Sequence, residues 1–233
     1  MRTIGLLGGM SWESTVPYYR TVNEVVKGRL GGLHSAKVVL VSVDFAEVER
    51  LQHAGDWDAA GELLAASARA LEAAGAECVV LCTNTMHRVA GAIEAAVGIP
   101  LLHIADPTAE AVRAAGVRAV GLLGTRFTME QDFYVGRLES RYGLTVLTPP
   151  ADDRALVHRV IYEELVLGRI LEPSRAAYRR VIADLVARGA EGVILGCTEI
   201  GLLVGPEDAR VPLFDTTELH AVAAGAWAVA SGG

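Results

Sequence analysis

Gly189-Ala-Glu-Gly-Val-Ile-Leu-Gly-Cys-Thr-Glu-Ile-Gly201 decides how this chain folds. Its apolar run, Val193 to Leu195, has the character of a buried strand, and Gly196 ends it. A thiol, a hydroxyl and a carboxylate then arrive together in Cys197, Thr198 and Glu199. A second copy, Gly75-Ala-Glu-Cys-Val-Val-Leu-Cys-Thr-Asn-Thr85, lies 114 positions earlier. At that offset Leu81 meets Leu195, Thr83 meets Cys197 and Asn84 meets Thr198. The chain reads as a duplication around two polar strand ends.

The flanking segments repeat as well. Val120-Gly-Leu-Leu-Gly-Thr125 echoes Ile4-Gly-Leu-Leu-Gly-Gly9, and Val211-Pro-Leu-Phe-Asp215 echoes Ile99-Pro-Leu-Leu-His103. Strands are expected at Thr3 to Leu7, Lys37 to Val43, Val79 to Leu81 and Ile99 to Ile104. Helices are expected up to Arg29, over Asp56 to Ala74, and near Met129 to Arg141, Asp152 to Leu167 and Ser174 to Arg188. Gly31-Gly32 and Gly75 close the first two of these helices, Asp44 is an N-cap, and Glu47 to Gln52 reads as a polar segment. This alternation predicts an α/β fold of two pseudo-symmetric domains, each a parallel sheet flanked by helices. Residues 1–98 with 210–233 form the first half and residues 99–209 the second. Ligands of such sheets bind beyond the carboxyl ends of the strands, so the expected active site is the cleft between the halves. Met10-Ser11, Thr83-Asn84-Thr85, Thr125 and Cys197-Thr198-Glu199 would line it.

Composition narrows the function. The chain has 233 residues, 52 % of them hydrophobic and 21 % charged, which describes a folded soluble globule. No apolar run approaches the roughly 20 residues that cross a bilayer, and no signal-peptide pattern opens the chain, so a cytoplasmic protein with no membrane partner is expected. A net charge of −7 with no Lys/Arg cluster argues against nucleic acid. Three cysteines, Cys78, Cys82 and Cys197, exclude a disulfide framework, and none of their spacings suits a zinc site. The turn Gly8-Gly9-Met10-Ser11 has neither P-loop nor full dinucleotide-binding spacing. It serves either close packing of strand and helix or the approach of backbone N–H groups to an anion.

Four motifs together resemble the aspartate/glutamate racemase family. They are Gly8-Gly-Met-Ser-Trp-Glu-Ser-Thr15, Cys82-Thr-Asn-Thr-Met-His87, Thr128-Met-Glu-Gln-Asp-Phe-Tyr134 and Gly196-Cys-Thr-Glu-Ile-Gly201. The likeness spans nearly the whole chain and is nearest the broad-specificity amino-acid racemases. It implies racemisation of a small-molecule amino acid without pyridoxal phosphate, metal or other cofactor, in a cleft between two similar domains, commonly in a homodimer. It also implies one cysteine from each half beside the substrate α-carbon.

Here the chain departs from the family pattern. The usual first motif is Cys-Asn-Thr, but Thr83 precedes Asn84-Thr85 and Cys82 sits one place earlier. Neighbouring side chains at a strand end point to opposite faces, so Cys82 and Thr83 cannot both address one site. The repeat selects Thr83 and Cys197 as the opposed catalytic pair, with Cys82 and Cys197 as the alternative. A thiolate is a plausible base; a threonine hydroxyl is a poor one but can donate or relay a proton. Met10, Ser11, Gln52, Asn84, Thr85, Thr125, Thr198 and Glu199 are the candidate substrate-binding residues. Glu199 suits either the substrate ammonium or the start of a helix, Thr125 a ligand or a helix cap, and His87 a support for the hydroxyl or a cap. Cys78 reads as core, and Glu163-Glu164 as a solvated helix face. Acidic residues near Arg50 and Tyr162 make a neutral polar amino acid a competitor to aspartate or glutamate. A cysteine-dependent isomerase or decarboxylase of the same fold, and a non-catalytic amino-acid binder, are the other classes open at this point.

Overall fold

The computed structural model describes residues 1–230. The chain divides into two compact units, Met1–Ile104 with the segment from His220 onward, and Ala105–Leu219. Each unit contains one four-stranded parallel sheet with helices packed on it.

In the first unit, strands β1 (Ile4–Gly8), β2 (Val38–Ser42), β3 (Cys78–Leu81) and β4 (Leu101–Leu102) stand in the order β2-β1-β3-β4. β1 and β3 are wholly buried, which is why both read as unbroken apolar runs. The two-residue period sorts their side chains. Leu7, Val79 and Leu81 join one cluster with α2 (Phe45–Ala54), α3 (Trp57–Ala73) and α4 (Ala90–Ala96). Ile4, Leu6, Cys78, Val80 and Cys82 join another with α1 (Trp12–Leu30) and α11 (Thr216–Val229). Each fully buried leucine contributes about 2 kcal/mol relative to exposure, and the alternation fixes which of the two clusters each residue of β3 enters. The segment expected to be merely polar, Glu47 to Gln52, is helical. Asp44 accepts a hydrogen bond from the Ala46 amide at its start, and Val48 and Leu51 face the core.

The second unit repeats the plan. Strands β5 (Ala119–Gly124), β6 (Thr145–Leu147), β7 (Gly192–Gly196) and β8 (Leu213–Asp215) stand in the order β6-β5-β7-β8. Helices α5 (Ala105–Ala114) and α7 (Asp132–Tyr142) pack on each other and on the edge strands β8 and β6, whereas α8 (Ala151–Glu163) and α9 (Glu172–Ala187) lie on β5. Two shorter helices, α6 (Arg126–Glu130) and α10 (Ile200–Leu203), follow the ends of β5 and β7.

The duplication extends to single hydrogen bonds. The Glu77 carboxylate accepts from the Thr3 amide, and the Glu191 carboxylate, 114 positions on, accepts from the Arg118 and Ala119 amides. Val79 N–H donates to the Pro100 carbonyl as Val193 N–H does to that of Pro212.

Strand pairing moves the division of the halves. β4 pairs with β3, and β8 pairs with β7, so residues 99–104 belong with the first sheet and 210–215 with the second, the reverse of their sequence assignment. Each is the strand that a crossover returns to the edge of its own sheet. β6 was not anticipated. It is three residues long and partly exposed, too short to display a period.

Candidate active site

The polar strand ends are built differently in the two units. In the first, β1 runs into the turn Gly9-Met10-Ser11. Gly9 has φ +91°, and a Cβ there would stand 2.2 Å from the Val43 carbonyl oxygen, so only glycine fits. Thr15 Oγ1 accepts from the Gly9 N–H at 2.9 Å and donates to the Ser11 carbonyl at 2.9 Å. The Gly9 amide is therefore satisfied within the turn, which favours close packing over anion binding for this glycine. The Met10–Ser11 peptide is cis. The Met10 side chain lies in the apolar cluster beside Leu7 and Met86, so only its main chain is left to meet a ligand.

At the end of β3, Cys82 continues the inward alternation of Cys78 and Val80. It is fully buried, and burial pushes its thiol far above the ordinary value. Burial likewise raises Cys78, to about 12, and both behave as small apolar core residues. Thr83 lies one residue on, with 6 % of its surface accessible, and its side chain enters no hydrogen bond among the described residues. Its main chain is held from both sides. The Thr83 N–H donates to Leu81 O at 2.8 Å, and the Thr83 carbonyl accepts from His87 Nδ1 at 2.7 Å. Asn84 and Thr85, both buried, lead into the 3₁₀ turn Thr85–Val89. The Gln52 amide donates to the Met86 sulfur at 2.9 Å, so Gln52 reaches the underside of this turn.

In the second unit the strand end carries an acid–thiol pair. Cys197 Sγ donates to Glu199 Oε2 at 3.0 Å, and Thr198 Oγ1 donates to the same oxygen at 3.0 Å. Burial and the Glu199 charge hold the thiol well above its ordinary pKa, so the resting sulfur is protonated and Glu199 is its acceptor. The Thr198 carbonyl is fixed by Thr217 Oγ1 at 3.2 Å, and the Leu195 carbonyl by Thr216 Oγ1 at 2.8 Å. Gly196, the counterpart of Cys82, cannot carry a side chain. A Cβ there would lie 2.7 Å from Leu122 Cδ1 and 2.9 Å from the Leu123 carbonyl. Thr125 caps α6, accepting from the Thr128 amide at 3.3 Å.

These contacts revise several single readings. Glu199 is bound to the thiol and to Thr198, a role neither of its two sequence readings contained. Of the Glu163-Glu164 pair only Glu163 is solvated, at 66 % exposure. Glu164 accepts from Ser174 and stands 3.8 Å from Arg159. Sequence reasoning missed Thr15, Thr216 and Thr217, whose hydroxyls tie the turns down from 6, 21 and 19 positions away. Among the described residues no three His, Cys, Asp or Glu side chains are grouped to hold a metal ion, and no helix is long and apolar enough to cross a membrane.

Residues 7–224 match the family described as Asp/Glu/Hydantoin racemase. A Yersinia pestis protein whose crystal structure carries a provisional Asp/Glu racemase name is 60 % identical, with TM-score 0.91 over 98 % of this chain and 100 % of that one. An aspartate racemase homologue from Pyrococcus horikoshii is 35 % identical, with TM-score 0.83 over 98 % and 99 %. The broad specificity amino-acid racemase RacX of Bacillus subtilis is 20 % identical over 226 residues, 92 % of each chain.

Proposed function

The chain belongs to the Asp/Glu/Hydantoin racemase family and is an amino-acid racemase, an isomerase; from that premise we propose that it inverts aspartate or glutamate without a cofactor, Cys197 and Thr83 exchanging protons at opposite faces of the α-carbon. The observation that carries this reading is the Cys197–Glu199 contact at the end of β7, with Thr83 at the same place in the repeat, at the end of β3.

Glu199 Oε2 takes the thiol proton, and the sulfur then takes the α-hydrogen from one face. Burial makes this thiolate a stronger base than a free cysteine, which the weakly acidic α-carbon demands. The electron pair left on carbon delocalises into the substrate carboxylate, whose developing charge calls for nearby donors; Ser11, Asn84 and Thr85 are the residues we assign to them. Thr83 delivers its hydroxyl proton to the opposite face and regains one from water, to which Glu199 gives up the proton it took from the thiol. In reverse, Thr83 must act as the base, which a hydroxyl does poorly, so kcat and KM differ between enantiomers. Because the enantiomers are equal in free energy, kcat/KM is the same in both directions.

The acidic substrate is supported by the name of the 60 % identical relative and by the state of Glu164, whose carboxylate is already taken up by Ser174 and Arg159. The reading extends to a homodimer in the cytoplasm. Chiral chromatography of both enantiomers of aspartate, glutamate, serine and asparagine after incubation, with α-hydrogen exchange followed in D2O, tests it. Interconversion and exchange of the acidic pair are expected. Unchanged exchange in Cys197→Ser would refute the mechanism, and a preference for serine or asparagine would refute the substrate.

A further inference from the structure

His87 packs among two other buried histidines of the first unit, its ring centroid 4.4 Å from that of His103 and 6.1 Å from that of His220. Its protonation state follows from its partners. The Ile104 N–H donates to Nε2 at 3.1 Å, so Nε2 carries no hydrogen, and Nδ1 therefore bears the proton it gives to the Thr83 carbonyl at 2.7 Å. The ring is a fixed bridge between the residue two beyond β3 and the residue two beyond β4. His220 is held in the complementary tautomer, donating from Nε2 to Leu102 O at 2.7 Å and accepting the Tyr18 hydroxyl at Nδ1 at 2.9 Å.

We propose that His87 is the positioning residue for Thr83, its neutral ring holding the Thr83 carbonyl through Nδ1 while the Ile104 bond at Nε2 sets the tautomer that makes Nδ1 the donor, and thereby fixing where the Thr83 hydroxyl is presented. This rests on the assignment of Thr83 as a proton-transfer group. The clamp holds the main chain of a residue whose side chain enters no hydrogen bond among the described residues. Cys197 needs no such device, because its sulfur is bonded directly to Glu199. A displacement of about 1 Å at a reacting group costs on the order of 100-fold in rate.

Two conservative variants separate the bonds. The His87→Asn amide nitrogen reproduces the Nδ1 donor and loses the Ile104 bond; the His87→Gln carbonyl reproduces the Nε2 acceptor and loses the Thr83 bond. Racemisation and α-hydrogen exchange in D2O are measured for both enantiomers, beside Thr83→Ala and with thermal melts of every variant. H87Q should lose about 100-fold in racemisation while keeping exchange on the enantiomer served by Cys197, the pattern of Thr83→Ala, and H87N should stay within about tenfold of wild type. A parallel fall of α-hydrogen exchange for both enantiomers, an unchanged H87Q, or an H87N no better than H87Q overturns the proposal. If H87Q does not fold, H87N decides alone, and a loss like that of Thr83→Ala overturns it. Should Thr83→Ala itself leave racemisation unchanged, the fault lies with Thr83 as a catalytic group, and the clamp falls with it.

Discussion

The two halves share a strand order, a hydrogen-bond scheme and a repeat offset, yet end their third strands in opposite ways. After β3 the polar residue is a hydroxyl whose main chain is clamped by an imidazole; after β7 it is a thiol whose side chain is bonded to a carboxylate. The first device fixes position and leaves the oxygen chemically ordinary. The second changes the chemistry itself, because Glu199 both accepts the thiol's hydrogen bond and raises its pKa. Divergence after duplication has thus kept the scaffold, and under the mechanism we propose it has divided the labour between a reactive end and an orienting end. Removing the reactive end is the harshest test. Cys197→Ser replaces the thiol by a hydroxyl several pKa units less acidic, whose basic form is scarcely reached, and racemisation should fall about 1000-fold, read by chiral chromatography. A fall below tenfold would mean that the halves are not unequal in this way.

Glu199→Gln probes the same end more gently. The amide preserves a hydrogen-bonding side chain but accepts no proton, and racemisation should drop about 100-fold. The sign of its second effect is fixed. Glu199 raises the Cys197 pKa through its charge and its hydrogen bond, so removing it lowers that pKa, and alkylation by iodoacetamide should rise at lower pH than in wild type. An unchanged alkylation profile would show that burial alone, the larger cause, governs the thiol.

Thr83→Cys asks whether the inequality can be erased. It gives the orienting end a thiol on a main chain still clamped by His87. Exchange of the enantiomer served by position 83 should accelerate about tenfold, since a thiol is a far better acid and base than an alcohol. No acceleration would indicate that a thiol there also requires a carboxylate partner like Glu199.

Much of this inequality was legible from residue order. β1, β3, β5 and β7 are buried throughout apart from the first residue of β5, so each is a run of apolar residues and glycine, and the 114-residue offset aligned Thr83 with Cys197 without any coordinates. What was not legible lies in contacts between residues distant along the chain. His87 finds Ile104 17 positions away, and nothing in its neighbourhood announces which nitrogen carries the proton. The edge strands were assigned to the wrong halves because sequence adjacency suggested new domains where pairing continues the old sheet. Glu199 lies only two positions from Cys197, but the chain turns there, and neither strand nor helix periodicity states that both side chains converge.

The smallest effect belongs to the residue that most resembles a catalytic group by sequence. Cys82 fills the first sheet's core with Leu6, Tyr18 and Val80, and its counterpart Gly196 has no room for a side chain at all. The two positions therefore solve one packing problem with opposite volumes, and neither presents a group to the strand end. Cys82→Ala removes one buried sulfur, which should cost about 1 kcal/mol of stability by denaturant titration, while exchange at both faces stays within a factor of about two. If instead exchange at one face were lost with stability intact, Cys82 rather than Thr83 would be the reacting neighbour, and the contrast between an orienting and a reactive end would give way to two thiols in unlike surroundings.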